Sequence, residues 1–265
     1  MKQRAKIMEA FMSRMQIVTY NLRYDTADDG INCFAGRSEL IKEKITAEMP
    51  ELIAFQEVTN SSRDPLEKML PEYYLLGMMR SKIFDNEGLY FAARRDAFEV
   101  IGLESVWLSP EPYTPGSRYP DQSPCPRICT MIYLRHRESN LRLRAYNIHL
   151  DHISEEAKVL GMRAALDFVD SYNAKEPLPT VILGDFNAYP NSDVISMMNV
   201  RDDLVDVTTN IPFTFHDYGR QELKIDYIFL SPSLADKVVN VERWTDEQAG
   251  IYLSDHYPVC ATIDF

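Results

Sequence analysis

The stretch that decides the fold is Val181-Ile182-Leu183-Gly184-Asp185-Phe186-Asn187. A short apolar run of β-branched and aliphatic residues reads as a buried strand. It runs out into a glycine, a carboxylate and an amide. One such ending is ordinary turn chemistry. Strand alternation over Asp185 and Asn187 predicts that both side chains share a face.

Five further stretches have the same character. Val18-Thr19-Tyr20-Asn21 ends in an amide, and Ile53-Ala54-Phe55-Gln56-Glu57 in an amide and a carboxylate. Tyr146-Asn147-Ile148-His149-Leu150-Asp151-His152 carries imidazoles and an acid past its apolar part. Lys224-Ile225-Asp226-Tyr227-Ile228 opens a strand, and Ser254-Asp255-His256-Tyr257-Pro258 precedes the last one. Six such clusters exceed what turns alone require.

The remaining periodicity predicts strands over 16–20, 52–55, 73–79, 89–93, 98–108, 128–134, 141–148, 181–183, 225–230, 238–244 and 259–263. Two helices stand out. Residues 38–48 place Leu40, Ile41, Ile45 and Met49 on one side and stop at Pro50; residues 154–172 start at Ser154 and carry a longer apolar stripe. Residues 109–126 hold six prolines and must form an extended loop. Many strands with few helices predict an α/β (α+β) architecture of two packed, mostly antiparallel sheets with helices outside. No repeat or linker divides the chain. Residues 1–14 read as an N-terminal extension, frayed or helical, and 15–265 as one domain.

Composition bounds the partners. The 265 residues carry 28 basic and 40 acidic side chains, a net charge of −12. That balance speaks against a broad basic surface for duplex DNA. An acidic protein handling phosphates needs a cation. No apolar run reaches the ~20 residues of a membrane span, and the N-terminus shows no export signal, so the expected location is cytoplasmic. Cys33, Cys125, Cys129 and Cys260 form no metal-binding spacing and read as free thiols.

The chemistry of the clusters is coherent. Asn21, Glu57 and Asp255 offer hard oxygen ligands of the kind Mg²⁺ or Mn²⁺ prefers. His256 takes a proton near neutral pH and Asp226 fixes its tautomer; His149 donates to a phosphate oxygen. Together with Asp185 and Asn187 this set describes metal-assisted phosphoester hydrolysis.

The motifs TYNLRYDT (19–26), FQEV (55–58), NIHLDH (147–152), GDFNAYPNS (184–192), KIDYIFL (224–230) and SDHYP (254–258) resemble, in order, those of the endonuclease/exonuclease/phosphatase superfamily, the group with the deoxyribonuclease-I-like fold. The segments 107–109 and 125–127 resemble a bacterial metal-dependent hydrolase branch nearest the carbon-catabolite-repressor-type deadenylases. The resemblance implies a four-layer sandwich. It implies Asn21, Glu57 and Asp255 at the metal, Asp185 on the water, Asn187 and His149 on the phosphate, and Asp226 paired with His256. Which of Asp185 and His256 takes the water proton stays open.

A second tier is expected to touch substrate: Arg23 and Arg127 through phosphate, Asp151 by sharing the face of His149, and His216 from the loop before Asp226. For each, an ion pair or packing role is the plain alternative. The expected substrate is a small phosphorylated molecule or single-stranded nucleic acid, with no membrane or obligate protein partner. A DNA repair endonuclease or exonuclease on duplex DNA is the alternative. A noncatalytic scaffold is disfavoured because no site residue is missing.

Overall fold

The computed structural model describes residues 14–81 and 87–265. The expected N-terminal extension lies outside the described residues, save Arg14, which opens the first strand and bonds Asp264.

Strand β1 (Arg14–Asn21) is buried on both faces, with Ile17 pointing into one apolar cluster and Val18 and Tyr20 into another. That is the signature of a central strand covered on both sides. It runs parallel to β2 (Leu52–Val58), to which it connects through helix α1 (Phe34–Glu48). Helix α2 (Asn60–Met69) leads to β3 (Tyr73–Met79), then β4 (Gly88–Arg94). The chain then builds a second sheet from β5 (Phe98–Trp107), β6 (Ile128–His136) and β7 (Arg142–His149). Helix α3 (Glu155–Asn173) crosses to β8 (Thr180–Asp185), parallel to β7. Helix α4 (Asp193–Asn199), β9 (Val205–Asp206), β10 (Asp226–Leu230) and helix α5 (Pro232–Ala235) follow. Strands β11 (Val238–Arg243) and β14 (Val259–Asp264) return to the first sheet, with a small β12 (Glu247–Gln248) and β13 (Ile251–Tyr252) pair between them.

The sheet orders are β11-β14-β1-β2-β4-β3 and β5-β6-β7-β8-β10-β9. Pairing is antiparallel except for one parallel pair at each centre. Three apolar clusters mark the layers. Ile17, Leu52, Phe91, Ala145, Leu183 and Val259 pack between the sheets. Tyr20, Ile53, Ile41, Ile45 and Leu66 hold α1 and α2 on the outside of one sheet. Tyr146, Ile182, Met162, Phe168 and Val194 hold α3 and α4 on the other. This is the expected four-layer sandwich.

Polar side chains cross the apolar seam between the sheets at Gln56 and Asn147. Fully buried Gln56 donates from Nε2 to Asn147 Oδ1 at 2.7 Å, and Asn147 Nδ2 donates to the Phe55 carbonyl at 2.9 Å.

Two differences from the sequence reading have local causes. Helix α1 starts at Phe34, not 38, because its N-cap, Cys33, makes no side-chain cap bond and so carries no recognisable signal. Helix α2 was not expected. Thr59 and Ser62 close a reciprocal capping box there, while Pro65 inside the helix disguises it. The proline-rich stretch 109–126 is irregular, as expected. Among the described residues no helix is long and apolar enough to cross a membrane.

Candidate active site

The ends of the four central strands meet at one edge of the seam. Strand β1 delivers Asn21, β2 Glu57, β7 His149 and β8 Asp185. Parallel pairing sets His149 opposite Asp185, with Nε2 and Oδ2 3.6 Å apart. Gly184 allows this approach. Its φ is +143°, and a Cβ there would lie 1.9 Å from the Ile148 carbonyl oxygen.

Glu57 reaches the site differently. The register of β2 against β4 shifts between Phe55 and Val58, and Glu57 sits at φ 59°. A bulge re-aims a side chain, here at the price of about 1 kcal/mol or more of left-handed backbone. The carboxylate accepts from the Tyr24 amide at 2.8 Å and from Asn21 Nδ2 at 3.1 Å. The same Asn21 nitrogen donates to Asp185 Oδ2 at 2.9 Å, so one amide joins carboxylates from both sheets. Its Oδ1 accepts from the Arg23 amide at 2.9 Å.

Asp226 lies opposite Asp185 in the β8–β10 register and pairs with His256 Nδ1 at 2.8 Å. The other imidazole nitrogen, Nε2, is 3.8 Å from Asp185 Oδ2. Buried Asp255 accepts from Ser254 Oγ at 3.1 Å and has Arg23 Nε 3.6 Å away. Arg23 forks onto Asp29 at 2.9 and 3.1 Å, and Tyr218 also donates to Asp29, at 3.1 Å.

Burial and charge tune these groups against one another. Burial, then the neighbouring Asp226, pushes Asp185 up to about 7. Burial also raises Asp255. Glu57 feels the same burial, but the Tyr24 amide, Asn21 and nearby positive charge outweigh it and hold it below the usual carboxylate range. Burial opposes the charged form of His256, yet Asp226, Asp255 and Asp185 lift it to about 10. His149 is driven well below its ordinary value by burial and by Arg127 and Arg80, so it is neutral.

The donor set fits a divalent cation. Ligand atoms of Glu57, His149 and Asp185 lie within 4.8 Å of one another, as do those of Asp185, Asp226 and His256. Buried carboxylates demand compensation, and hard oxygens with one imidazole suit Mg²⁺ or Mn²⁺.

Glu57, Asp185, Asp226, Asp255, His149 and His256 therefore converge, with Asn21 bridging them. Strand alternation fails for two of the expected site residues, and the remaining candidates lie as follows. Asn187 does not share a strand face with Asp185, because β8 ends at Asp185 and Asn187 turns to φ 48°. Its amide N–H instead donates to Asp185 Oδ1 at 2.8 Å, and its Nδ2 to the Leu150 carbonyl at 3.2 Å. Alternation fails for Asp151 too, since β7 ends at His149. Asp151 accepts from the amides of Ile153 and Ser154 at 3.0 and 2.8 Å and from the Ser123 hydroxyl, which makes it the organiser of the turn into α3. Buried Arg127 faces Asp151 at 3.8 Å and His152 Nδ1 at 2.8 Å. His216 stacks on Tyr257 at 3.9 Å and its amide holds the Asp255 carbonyl at 2.9 Å, so it supports Asp255 from behind. Arg142 and Arg144 both pair with Glu176, and Trp107 is buried with its Nε1 on the Arg80 carbonyl.

Three contributors were not foreseen. Buried Arg80 pairs with Glu87 at 2.7 Å and lines a small recess with Glu57, Ile128 and His149. Asp29 and Tyr218 anchor Arg23. Arg80 and Asp29 pair with residues six or seven positions away, a spacing that no strand or helix period singles out, and Tyr218 reaches Asp29 from 189 residues on.

Comparison with known proteins agrees with this fold. The family model described as the endonuclease/exonuclease/phosphatase family matches residues 18–256. Among solved structures, an endonuclease/exonuclease/phosphatase from Bacteroides vulgatus is 27% identical, with a TM-score of 0.86 over 95% of this chain and 98% of that one. A functionally unknown conserved protein from Enterococcus faecalis V583 is 28% identical, with a TM-score of 0.83 over 93% and 98%. A mannosyl-6-phosphatase from Bacteroides thetaiotaomicron shares the fold at 23% identity, with a TM-score of 0.82 over 93% and 98%. No curated protein sequence matches.

Proposed function

From its place in the endonuclease/exonuclease/phosphatase family, to which this chain belongs, a family of phosphoester hydrolases, we propose that it is a Mg²⁺-dependent phosphoesterase acting on a small phosphorylated molecule or a single-stranded nucleic acid. The observation that carries this reading is the meeting of Asn21, Glu57 and Asp185 through one amide nitrogen. It brings carboxylates from both sheets to a single point.

Glu57, Asn21 and Asp255 would hold the metal, which would supply the positive charge that neutralises the phosphoryl oxygens; Mn²⁺ would suit the same oxygen ligands. Asp185, poised at about 7, orients a water and takes its proton. His256 is held as an imidazolium by Asp226 and stabilises charge on the phosphoryl oxygens. Neutral His149 and the second Nδ2 hydrogen of Asn187 donate to those oxygens, and Arg23 fixes Asp255 against Asp29.

The net charge of −12, with Arg142 and Arg144 committed to Glu176, supports a small or single-stranded substrate over duplex DNA. The neighbour named mannosyl-6-phosphatase makes sugar phosphates a first class to test. Four cysteines, none of them in a disulfide, fit a reducing compartment, the cytoplasm. The test is a panel of phosphate monoesters and diesters with Mg²⁺ and Mn²⁺, alongside Glu57→Gln. The expected result is turnover that EDTA and the substitution both abolish; full activity in EDTA overturns the reading.

A further inference from the structure

The turn after β7 carries a side chain to which the proposed mechanism gives no role. His152 is exposed, three residues beyond His149, and its Nδ1 lies 2.8 Å from Arg127 Nη2. A guanidinium donates and cannot accept. The imidazole Nδ1 must therefore be the bare acceptor, and the proton must sit on Nε2, the nitrogen directed away from Arg127. The arrangement is held from below. Arg127 is buried and faces Asp151 at 3.8 Å, and Asp151 is fixed by the Ile153 and Ser154 amides and by Ser123. His152 follows His149 by three residues, past the end of β7 that carries His149 to the carboxylates; partial burial of the ring and the Arg127 charge lower its pKa. Beside it Ile153 is 62% exposed.

Resting on the phosphoesterase reading, we propose that His152 determines specificity: its Nε2–H donates to an oxygen of the substrate's alcohol portion, and Ile153 packs on the adjoining C–H face. A donor with one fixed direction beside an apolar side chain matches a polyhydroxylated leaving group, the chemistry of a sugar phosphate. The phosphoryl group already has donors in His149 and Asn187. His152, beyond the strand end and nearer solvent, meets the part of the substrate that leaves.

Two measurements test this. In ¹⁵N-labelled protein with Ca²⁺ in place of Mg²⁺, His152 is expected to show the Nε2–H tautomer from pH 6 to 8. Its Nε2 resonance is expected to shift on titration with hexose 6-phosphates or ribose 5-phosphate, and not with p-nitrophenyl phosphate. In kinetics, His152→Ala raises KM for the sugar phosphate about tenfold, the scale of one lost hydrogen bond. It leaves kcat and p-nitrophenyl phosphate turnover within twofold, and His152→Gln, which keeps a neutral donor, recovers most of the loss. An Nδ1–H tautomer, no shift with any sugar phosphate, or an equal effect on both substrate types overturns the proposal. A shift without turnover of any ester sustains this contact and overturns the phosphoesterase reading; turnover of sugar phosphates with no shift does the reverse.

Discussion

The molecule contains two parallel β-α-β units, β1-α1-β2 and β7-α3-β8, one at the centre of each sheet. They have the same topology and present their acids by opposite means. In the second unit Asp185 stays in register with His149, and the cost is a glycine at Gly184 whose backbone touches Ile148. In the first unit the register breaks, and Glu57 is swung round by a bulge into a left-handed conformation. One unit buys proximity by removing a side chain; the other accepts local strain in a residue that must keep its own. Placement of a functional group and stability of the element that bears it are thus coupled with opposite sign in the two halves.

Substitution at the two carboxylates gives the largest effects and treats the halves as equals for chemistry. Glu57→Gln and Asp185→Asn are each expected to lower kcat by at least about a thousandfold in steady-state assays. Stability then separates them. Gly184→Ala forces overlap with the Ile148 carbonyl and is expected to cost about 3 kcal/mol or more in urea unfolding. Glu57→Gly, which removes the strain, leaves stability unchanged or raises it by about 1 kcal/mol while activity is lost. Equal destabilisation by the two would break the comparison.

The next effect depends on pH. The folded Asp185 value of about 7 exceeds that of an unfolded aspartate, so its contribution is intact below about pH 4 and is lost as pH rises towards 7. His256, lifted to about 10, adds stability below about pH 6.5 that is lost as pH rises through 10. Metal-free protein should therefore lose stability with rising pH above about 6.5, where the opposing contribution of buried, neutral His149 is complete, and the gain in Tm on adding Mg²⁺ should be larger at pH 8 than at pH 5. Asp185→Asn should flatten the loss between pH 4 and 7 and raise metal-free stability at pH 8 by about 2 kcal/mol. The smallest effect concerns the crossover helices. Ser154 caps α3 through the Ala157 amide at 3.2 Å, whereas Cys33 makes no cap bond for α1. Ser154→Ala should cost about 1 kcal/mol, and Cys33→Ser should add about 0.5 kcal/mol, by thermal or chemical denaturation.

Strand periodicity and the polar endings made most of the sandwich legible, because buried central strands and their polar termini are contiguous in sequence. Asp185, Glu57 and His256 each announce themselves as a carboxylate or imidazole beside an apolar run. Alternation misplaces Asn187 and Asp151 because each lies two residues past its true strand end. The Glu57 bulge left no composition signal, since it arises from pairing with β4. Arg127 and Arg80 were opaque for another reason. Their partners are fixed by the tertiary packing of the 149–154 turn and of Glu87, and a lone arginine reads the same on a surface as in a buried network.

The crossing between Gln56 and Asn147 has a consequence for how this site keeps its tolerance. Greasy interfaces resist separation but offer little resistance to sliding, because one aliphatic contact replaces another at similar energy. A directional bond between amides does not forgive a shift of an ångström. Gln56 and Asn147 act as a dowel driven across the sandwich, adjacent in sequence to Glu57 and two residues from His149. The halves of the candidate site are thereby aligned by a pin set just beneath them.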